Sequence, residues 1–524
     1  MKVVTPAQMA TIDRQAIEGR KLPALLLMEH AGLKVLEALK REVPDWQSQR
    51  YLVVAGTGNN AGDGFVVARN LARAGAVVGV ELVRGDGNVH GDARTNLDSL
   101  AAYGIEVFHA RPGHPLRSVL ADTTLVFDAM LGTGARGELS GDYREAVENI
   151  NQARKRVVAI DVPTGLDAAT GQVQGPAVRA SFTVTMGLPK LGFFQQPAPE
   201  YLGRLYVAEI GFPPTLLADR ELERELLFGC DLAGLYPARK EDSHKGDYGR
   251  VLVIGGSRGM VGAAVLAARA AMRAGAGLVK LVVPASQQPV AASMTPEVMT
   301  YAAPETTAGT FSRDAVGACR ELSQWADVAL IGPGLGRGAQ IDAFVRELVA
   351  TADGPMVLDA DALHALEPGR PLPVGDFLAT PHAGELSRWL GVESTAVRAR
   401  RAEIAVEAAR TLGATLVLKG PYSQVAGPDG RLAISPTGNP GMASGGSGDV
   451  LAGMLLALRG LPGMASFDAM RLAVYLHGLA GDLALESVGG PSVPPTDILG
   501  QIPRAFEILR HAAAPIAYDK VRLI

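Results

Sequence analysis

The sequence predicts an α/β protein made of two units in tandem, and three observations carry that prediction. At 524 residues the chain is longer than the roughly 250–300 at which single cores stop growing and split. From residue 51 onward, short β-rich runs alternate with polar, amphipathic or Ala-rich stretches, the pattern of a mainly parallel sheet wound with helices. The alternation lapses near residue 212 and restarts after "HKGDYG".

The strands expected in the first unit are "YLVVA", "VVGVELV", "TLVFDA", "RVVAIDV", "FTVTM" and "RLYVAEIG". Those of the second are "RVLVIGG", "GLVKLVVP", "DVALIGPG", "PMVLDADAL" and "ATLVLKG". Between them, Phe212 to Glu241 holds a Pro pair and scattered charges but no strand pattern, so the boundary is set there. The resulting division is 1–215, a linker at 216–240, and 241–512. The tail "APIAYDKVRLI" is expected to be disordered or to dock on a neighbour.

Composition narrows the partners. A net charge of -4 gives no basic footprint for nucleic acid or anionic lipid, so small molecules are favoured. Cys230 and Cys319 form no CxxC spacing, which leaves no readable disulfide framework or zinc site and fits a reducing cytoplasm. The apolar run around "LPALLLM" is too short for a signal-peptide core or a membrane span, so neither export nor anchoring is expected.

Chemistry concentrates in Gly-rich stretches after predicted strands. In "TGNPGMASGGSGDVLAGML", Gly445, Gly446 and Gly448 precede Asp449 and an apolar helical run. Glycines let backbone N–H groups converge on an anion, and a helix N-terminus adds partial positive charge there. An Asp beside such a hole can take a proton from a hydroxyl that attacks a phosphoryl group. Taken alone, Asp449 is as well explained as a helix N-cap. Two more loops tip the balance: "LKGPYS", with Lys419 at a strand end, and "GPGLG" at Gly332 to Gly336.

With "HKGDYGRVLVIGGS", "VLDADAL" and "TPHAGEL", these stretches resemble the ribokinase-like domain of ADP- or ATP-dependent NAD(P)H-hydrate dehydratases over about residues 241–510. The glycine loop and its Asp are similar in hydroxyethylthiazole kinases, and "TPHAGE" and "HKGDYG" favour the dehydratase. The resemblance implies that Ala263, Gly334, His382 and Asp449 contact the hydrated nucleotide. It gives the adenine nucleotide to Lys419, Gly420, Pro421, Tyr422, Ser423 and Gly448, with Gly445 and Gly446 completing the phosphate loop. Ser423 stands where a threonine is common and keeps the hydroxyl. His244 and His477 are read as structural or rim residues.

In the first unit "GTGNNAGDGFVVARNLARAG" satisfies a GxGxxA dinucleotide fingerprint, and Glu81 closes the next strand where a ribose acceptor would lie. Asn59, Asn60 and Asp63 are polar groups that a plain pyrophosphate turn does not need. Later loops, "DAMLGTGARGELSG" and "IDVPTGLD", should gather at the same sheet edge, where Asn60, Asp128 and Thr164 offer oxygens to a hard cation and Asp161 a proton-transfer group. Each Asp singly reads as a strand-end turn former.

Together these stretches resemble the NAD(P)H-hydrate epimerase family over about residues 1–215, a Rossmann-like three-layer sandwich. The resemblance implies substrate contacts from Asn59, Asn60, Ala61, Gly62 and Asp63, and from Gly132, Thr133, Gly134, Ala135, Arg136, Gly137 and Glu138. It implies potassium at Asn60, Asp128 and Thr164, and Asp161 near the reacting centre. Ala61 departs from the family's usual glycine, which a methyl tolerates only at negative φ.

The function implied is repair of hydrated NADH and NADPH. The first unit interconverts the R and S hydrates, and the second dehydrates the S form with ADP as phosphoryl donor and Mg2+ on the nucleotide. Both resembled families commonly assemble, so a homo-oligomer is expected. The alternative is a hydroxyethylthiazole-type small-molecule kinase fused to a nucleotide-binding module, which would leave a stable phosphorylated product. A non-catalytic first unit and an oxidoreductase are weaker readings.

Overall fold

The computed structural model describes residues 1–109, 116–219, 221–516 and 518–524. It separates into two compact units, Met1–Leu222 with Lys520–Ile524, and Glu223–Asp519. Ala517 of the tail and Arg220 of the expected linker lie outside the described residues.

The first unit is built on an eight-stranded sheet. Its strands are β1 (Arg50–Ala55), β2 (Val77–Leu82), β3 (Glu106–His109), β4 (Leu125–Ala129), β5 (Arg156–Ile160), β6 (Phe182–Met186) and β7 (Arg204–Ala208), with β18 (Val521–Leu523) far along the chain. The order is β18-β7-β6-β5-β4-β1-β2-β3, and every neighbouring pair is parallel. Both faces are covered. Tyr51, Val53, Leu125 and Phe127 pack into one core, while Leu52, Val54 and Val126 pack into another, the period-two alternation of a strand between two helical layers. The order reverses between β1 and β4, so their loops leave in opposite directions and open a crevice at the carboxyl ends of the strands.

β18 corrects the expectation for the tail. Val521 pairs with Leu205, and the Ile524 N–H donates to Val207 O at 3.1 Å, so the tail extends its own chain's sheet by one strand. Three residues are too few to display a periodicity.

The second unit carries ten strands: β8 (Arg224–Leu226), β9 (Arg250–Ile254), β10 (Leu278–Pro284), β11 (Met299–Ala303), β12 (Val328–Ile331), β13 (Met356–Leu358), β14 (Phe377–Ala379), β15 (Thr415–Leu418), β16 (Gln424–Ala426) and β17 (Leu432–Ile434). Their order is β11-β10-β9-β12-β13-β14-β15-β16-β17-β8. β11 through β15 are parallel, β16 is antiparallel to both of its neighbours, and β8 runs parallel to β17. The stretch read as strandless thus contributes β8, again only three residues long. The order reverses a second time, between β9 and β12.

Two helices over this sheet, Val261–Arg273 and Ser447–Arg459, pack closely because small residues face each other. Ala264, Ala267, Ala268 and Ala271 are fully buried, and a Cβ at Gly453 would lie 2.1 Å from the Ala267 carbonyl oxygen. Gly453→Val should therefore cost the second unit about 3 kcal/mol, read as a lowered urea midpoint of its unfolding transition. Among the described residues, no helix is long and apolar enough to cross a membrane.

Candidate active sites

The first site forms where β1, β4 and β5 end. The stretch read as a loop, Asn59 to Asp63, is the first turn of the helix Asn59–Arg73, with Gly58 as its N-cap. Ala61 is helical there and fully buried, so its methyl meets the negative-φ condition. Asn59, Asn60, Asp63, Gly132, Thr133, Gly134, Ala135 and Asp161 line one cavity of about 570 Å³, joined by Asp13, Met28, Lys190 and Phe212. Gly62 lies against Met28, where a Cβ would come within 2.5 Å of the sulfur. Arg136, Gly137 and Glu138 are exposed and outside the cavity wall, and Glu138 pairs with Arg144 at 2.9 Å.

Asp128 and Thr164 lie buried behind this wall. The Thr164 hydroxyl donates to Asp128 Oδ1 at 2.7 Å and its N–H to Oδ2 at 2.8 Å. Both residues also hold the wall's backbone: Met130 N–H donates to Asp128 Oδ1 at 3.3 Å, and Leu131 N–H to Thr164 Oγ1 at 3.2 Å. Burial pushes the Asp128 carboxyl up to about 6 against these bonds. Asn60 is the exception to good pairing, since its buried Oδ1 and Nδ2 both lack a hydrogen-bond partner. A buried amide without partners is costly, so both polar atoms of Asn60 are available to a ligand. Glu81, the ribose candidate, is 3% exposed, pushed up to about 6 by burial, and not among the residues that line the cavity.

In the second unit the helix begins at Ser447, so Gly448 and Asp449 occupy its first turn, with Gly446 as N-cap at φ +96°. Lys419 follows β15, bridges in backbone to His382 and donates from Nζ to Asp359 Oδ1 at 3.1 Å. A Cβ at Gly448 would lie 3.3 Å from Lys419 Nζ, which brings the lysine to the glycine loop. Asp359 is 1% exposed and also accepts from Thr380 Oγ1 at 2.5 Å. Burial, then the Asp359 charge, pushes the half-buried Asp449 carboxyl up to about 7, with Lys419 opposing. That is the range in which a carboxylate works as a base near neutrality.

The remaining residues take supporting places. Ser423 Oγ donates to Gly420 O at 2.9 Å and accepts from Gly420 N–H at 3.3 Å, closing the Lys419 to Ser423 turn. Tyr422 turns its backbone at φ +50°, Pro421 is exposed, and Gly445 is exposed with open space where a Cβ would stand. Gly334, at φ +64°, stands where a Cβ would meet Ala263 Cβ at 3.1 Å, so these two form a pair after β12 and β9. His382 caps the helix Ala383–Leu390, its Nδ1 accepting from Gly384 N–H at 3.0 Å and Glu385 N–H at 3.2 Å. His244 caps a short turn in the same manner, while His477 abuts Ser447 Oγ at 3.4 Å.

Two family models match the chain: YjeF-related protein N-terminus over residues 24–192, and NAD(P)H-hydrate dehydratase over residues 251–504. The bifunctional NAD(P)H-hydrate repair enzyme of Moorella thermoacetica is 42% identical over 98% of each chain. The chain belongs to the bifunctional NAD(P)H-hydrate repair enzyme family. The repair enzyme of Thermofilum pendens is 38% identical over 97% of each chain. Among solved structures, ADP/ATP-dependent NAD(P)H-hydrate dehydratase from Bacillus subtilis, co-crystallised with ATP and Mg2+, is similar at 31% identity and a TM-score of 0.48. That match covers 54% of this chain and 98% of the other.

Within this repair-enzyme family frame, four residues escape sequence reasoning. Lys190 and Asp13 line the first cavity, Asp359 holds Lys419, and Arg401 braces the backbone at Leu418 and Lys419. Arg401 is 3% exposed and donates from Nη2 to Leu418 O at 2.9 Å. Lys190 alone carries a sequence signal, a lysine inside the apolar run "VTMGLPKLGFF".

Proposed function

We propose that Met1–Leu222 with Lys520–Ile524 acts as an NAD(P)H-hydrate epimerase and Glu223–Asp519 as a dehydratase that uses ADP. The observation that carries the reading is a carboxyl near neutrality, Asp449, in the first turn of a glycine-led helix beside Lys419. Asp449 removes the proton from the hydroxyl on nicotinamide ring carbon six as that oxygen attacks the terminal phosphorus of ADP. AMP leaves, and the N–H groups around Gly445, Gly446 and Gly448 stabilise the transferring phosphoryl. The ring nitrogen then expels phosphate and, with loss of a proton from the neighbouring carbon, the double bond returns. In the other unit Asp161 takes the proton of the same hydroxyl as the bond from ring carbon six to the ring nitrogen breaks, leaving an aldehyde at carbon six and the electron pair on the conjugated nitrogen. It returns the proton when the nitrogen re-adds on the opposite face.

Two ions belong to the proposal. Asn60 fits a potassium ion through its unpaired amide oxygen, with Asp128 and Thr164 as the further oxygens, and the ion would fix the substrate's anionic groups. Among the described residues, no group of three His, Cys, Asp or Glu converges as a metal cage. Mg2+ would be carried on the nucleotide's phosphates, where it neutralises charge. The proposal extends to a cytoplasmic homo-oligomer, and light scattering tests the assembly.

Absorbance near 340 nm tests the whole reading. A mixture of hydrated NADH epimers should recover fully with ADP and not without nucleotide. Recovery stalled at one epimer's share removes the first unit's role, and no recovery with ADP or ATP defeats the repair reading in favour of the small-molecule kinase. A base must be ionised to act, so kcat/KM for dehydration should fall below about pH 7 as Asp449 takes up its proton. A profile flat down to pH 5 would exclude Asp449 as the titrating group.

A further inference from the structure

A lysine ammonium is among the most expensive groups to remove from water, yet Lys190 is 1% exposed. Its Nζ lies 2.7 Å from Asp161 Oδ1, 2.6 Å from Thr185 Oγ1 and 3.1 Å from the Met186 carbonyl oxygen. An ammonium has three N–H donors and no acceptor. All three are engaged within the protein, so Lys190 has no donor left for a ligand and does not itself exchange a proton with one.

Its effect falls on one oxygen of Asp161. Oδ1 accepts from Lys190, from the Thr185 hydroxyl at 3.0 Å and from Met186 N–H at 3.3 Å. Oδ2 accepts from Thr133 N–H at 3.3 Å, a long bond from the loop that lines the cavity. A Cβ at Gly132 would come within 3.3 Å of Oδ2 and 3.5 Å of Asn60 Cβ, so glycine keeps the space between Asp161 and Asn60 open. The backbone agrees with the side chain. Asp161 sits at φ +64°, left-handed for a non-glycine residue, and its N–H is anchored to Val184 O at 2.7 Å.

We propose that Lys190 is a positioning residue for epimerisation, immobilising Asp161 through Oδ1 and leaving Oδ2 as the oxygen that exchanges a proton with the substrate hydroxyl. The proposal rests on the reading of Asp161 as the proton-transfer group. It adds no covalent step: the proton moves from the hydroxyl oxygen to Oδ2 and returns as the stereocentre recloses.

The electrostatics run the same way. Burial would push the Asp161 carboxyl up, but the Lys190 charge and hydrogen bond, aided by Met186 N–H and the Thr185 hydroxyl, hold it below the usual carboxylate range. The titratable group facing it from the helix Asn59–Arg73 is Asp63, driven well above the ordinary value by burial and by the Asp161 and Asp13 charges. Asp13, on the helix Pro6–Arg14, is itself raised by burial. Against these acids, Lys190 is the cation that keeps Asp161 in the base form.

The test follows R-to-S exchange by chromatography in the full-length protein without nucleotide, across pH, and dehydration of the S hydrate with ADP in parallel. Lys190→Met should slow exchange about 10²-fold and move its acid limb to higher pH, with dehydration unchanged. Lys190→Arg should return the limb toward its original position. A purely structural lysine would alter amount or stability, not the limb, so an unmoved limb in Lys190→Met overturns the proposal. If that variant does not fold, Thr185→Val removes one donor from Oδ1 and must move the limb in the same direction, and a stationary limb there overturns it equally. Asp161→Asn separates the two readings: exchange at the parent rate defeats Asp161 as the proton-transfer group, whereas loss of exchange with a fixed limb in the lysine variants defeats Lys190 alone.

Discussion

Asp449→Asn should lower ADP-dependent recovery of NADH by about 10³-fold, the usual weight of a positioned base, while epimer exchange continues at the parent rate. The amide keeps the shape and first-turn position of the carboxylate, so the helix Ser447–Arg459 and its packing should survive. It cannot take the hydroxyl's proton, and it removes a negative charge beside Lys419. Nucleotide binding should therefore hold or tighten while turnover collapses, a split that equilibrium dialysis with ADP and stopped-flow absorbance measure together. Turnover within tenfold of the parent would take the role of base away from Asp449.

The second large effect belongs to Asp161. Asp161→Asn should abolish exchange and leave S-hydrate dehydration intact, so that absorbance from a mixed sample rises to the S share and stops. Asparagine is the better choice over alanine. Its oxygen can still accept from Lys190, whereas alanine would strand a buried ammonium at a cost of about 3–5 kcal/mol and confuse loss of chemistry with loss of fold. A rise that continues past the S share would mean that another group moves the proton. Loss of both activities would mean that the two units depend on each other structurally.

Much of this arrangement is legible in the sequence because parallel strands covered on both faces read as apolar runs, and β1, β4, β5, β9 and β12 are such runs. Of the polar stretches, NNAGD after β1 supplies Asn59, Asn60 and Asp63 to the first cavity and GTGARGE after β4 supplies only Gly132 to Ala135, while GGSGD follows β17 and opens a helix. What composition hides is their local form. Asn59 to Asp63, and Ser447 to Asp449, are helical first turns rather than loops, since first-turn N–H groups lack intrahelical partners and so tolerate Gly, Asn and Ser. Ala61 is harmless for that reason. β8 and β18 are hidden differently, being three-residue strands defined by distant partners. Lys190, Asp359 and Arg401 act through bonds to residues that other elements deliver, as when Asp359 reaches Lys419 across 60 positions of sequence. No local pattern contains such a bond.

The return of Val521–Leu523 to the first sheet has a consequence for biosynthesis. The first sheet's other seven strands leave the ribosome before residue 209, but the one that covers β7 emerges only after the second unit has been made. Until then β7 presents an unpaired edge, the kind of surface on which nascent chains aggregate. The second unit is in effect an insertion between two parts of the first sheet, so the epimerase is finished last although it is begun first.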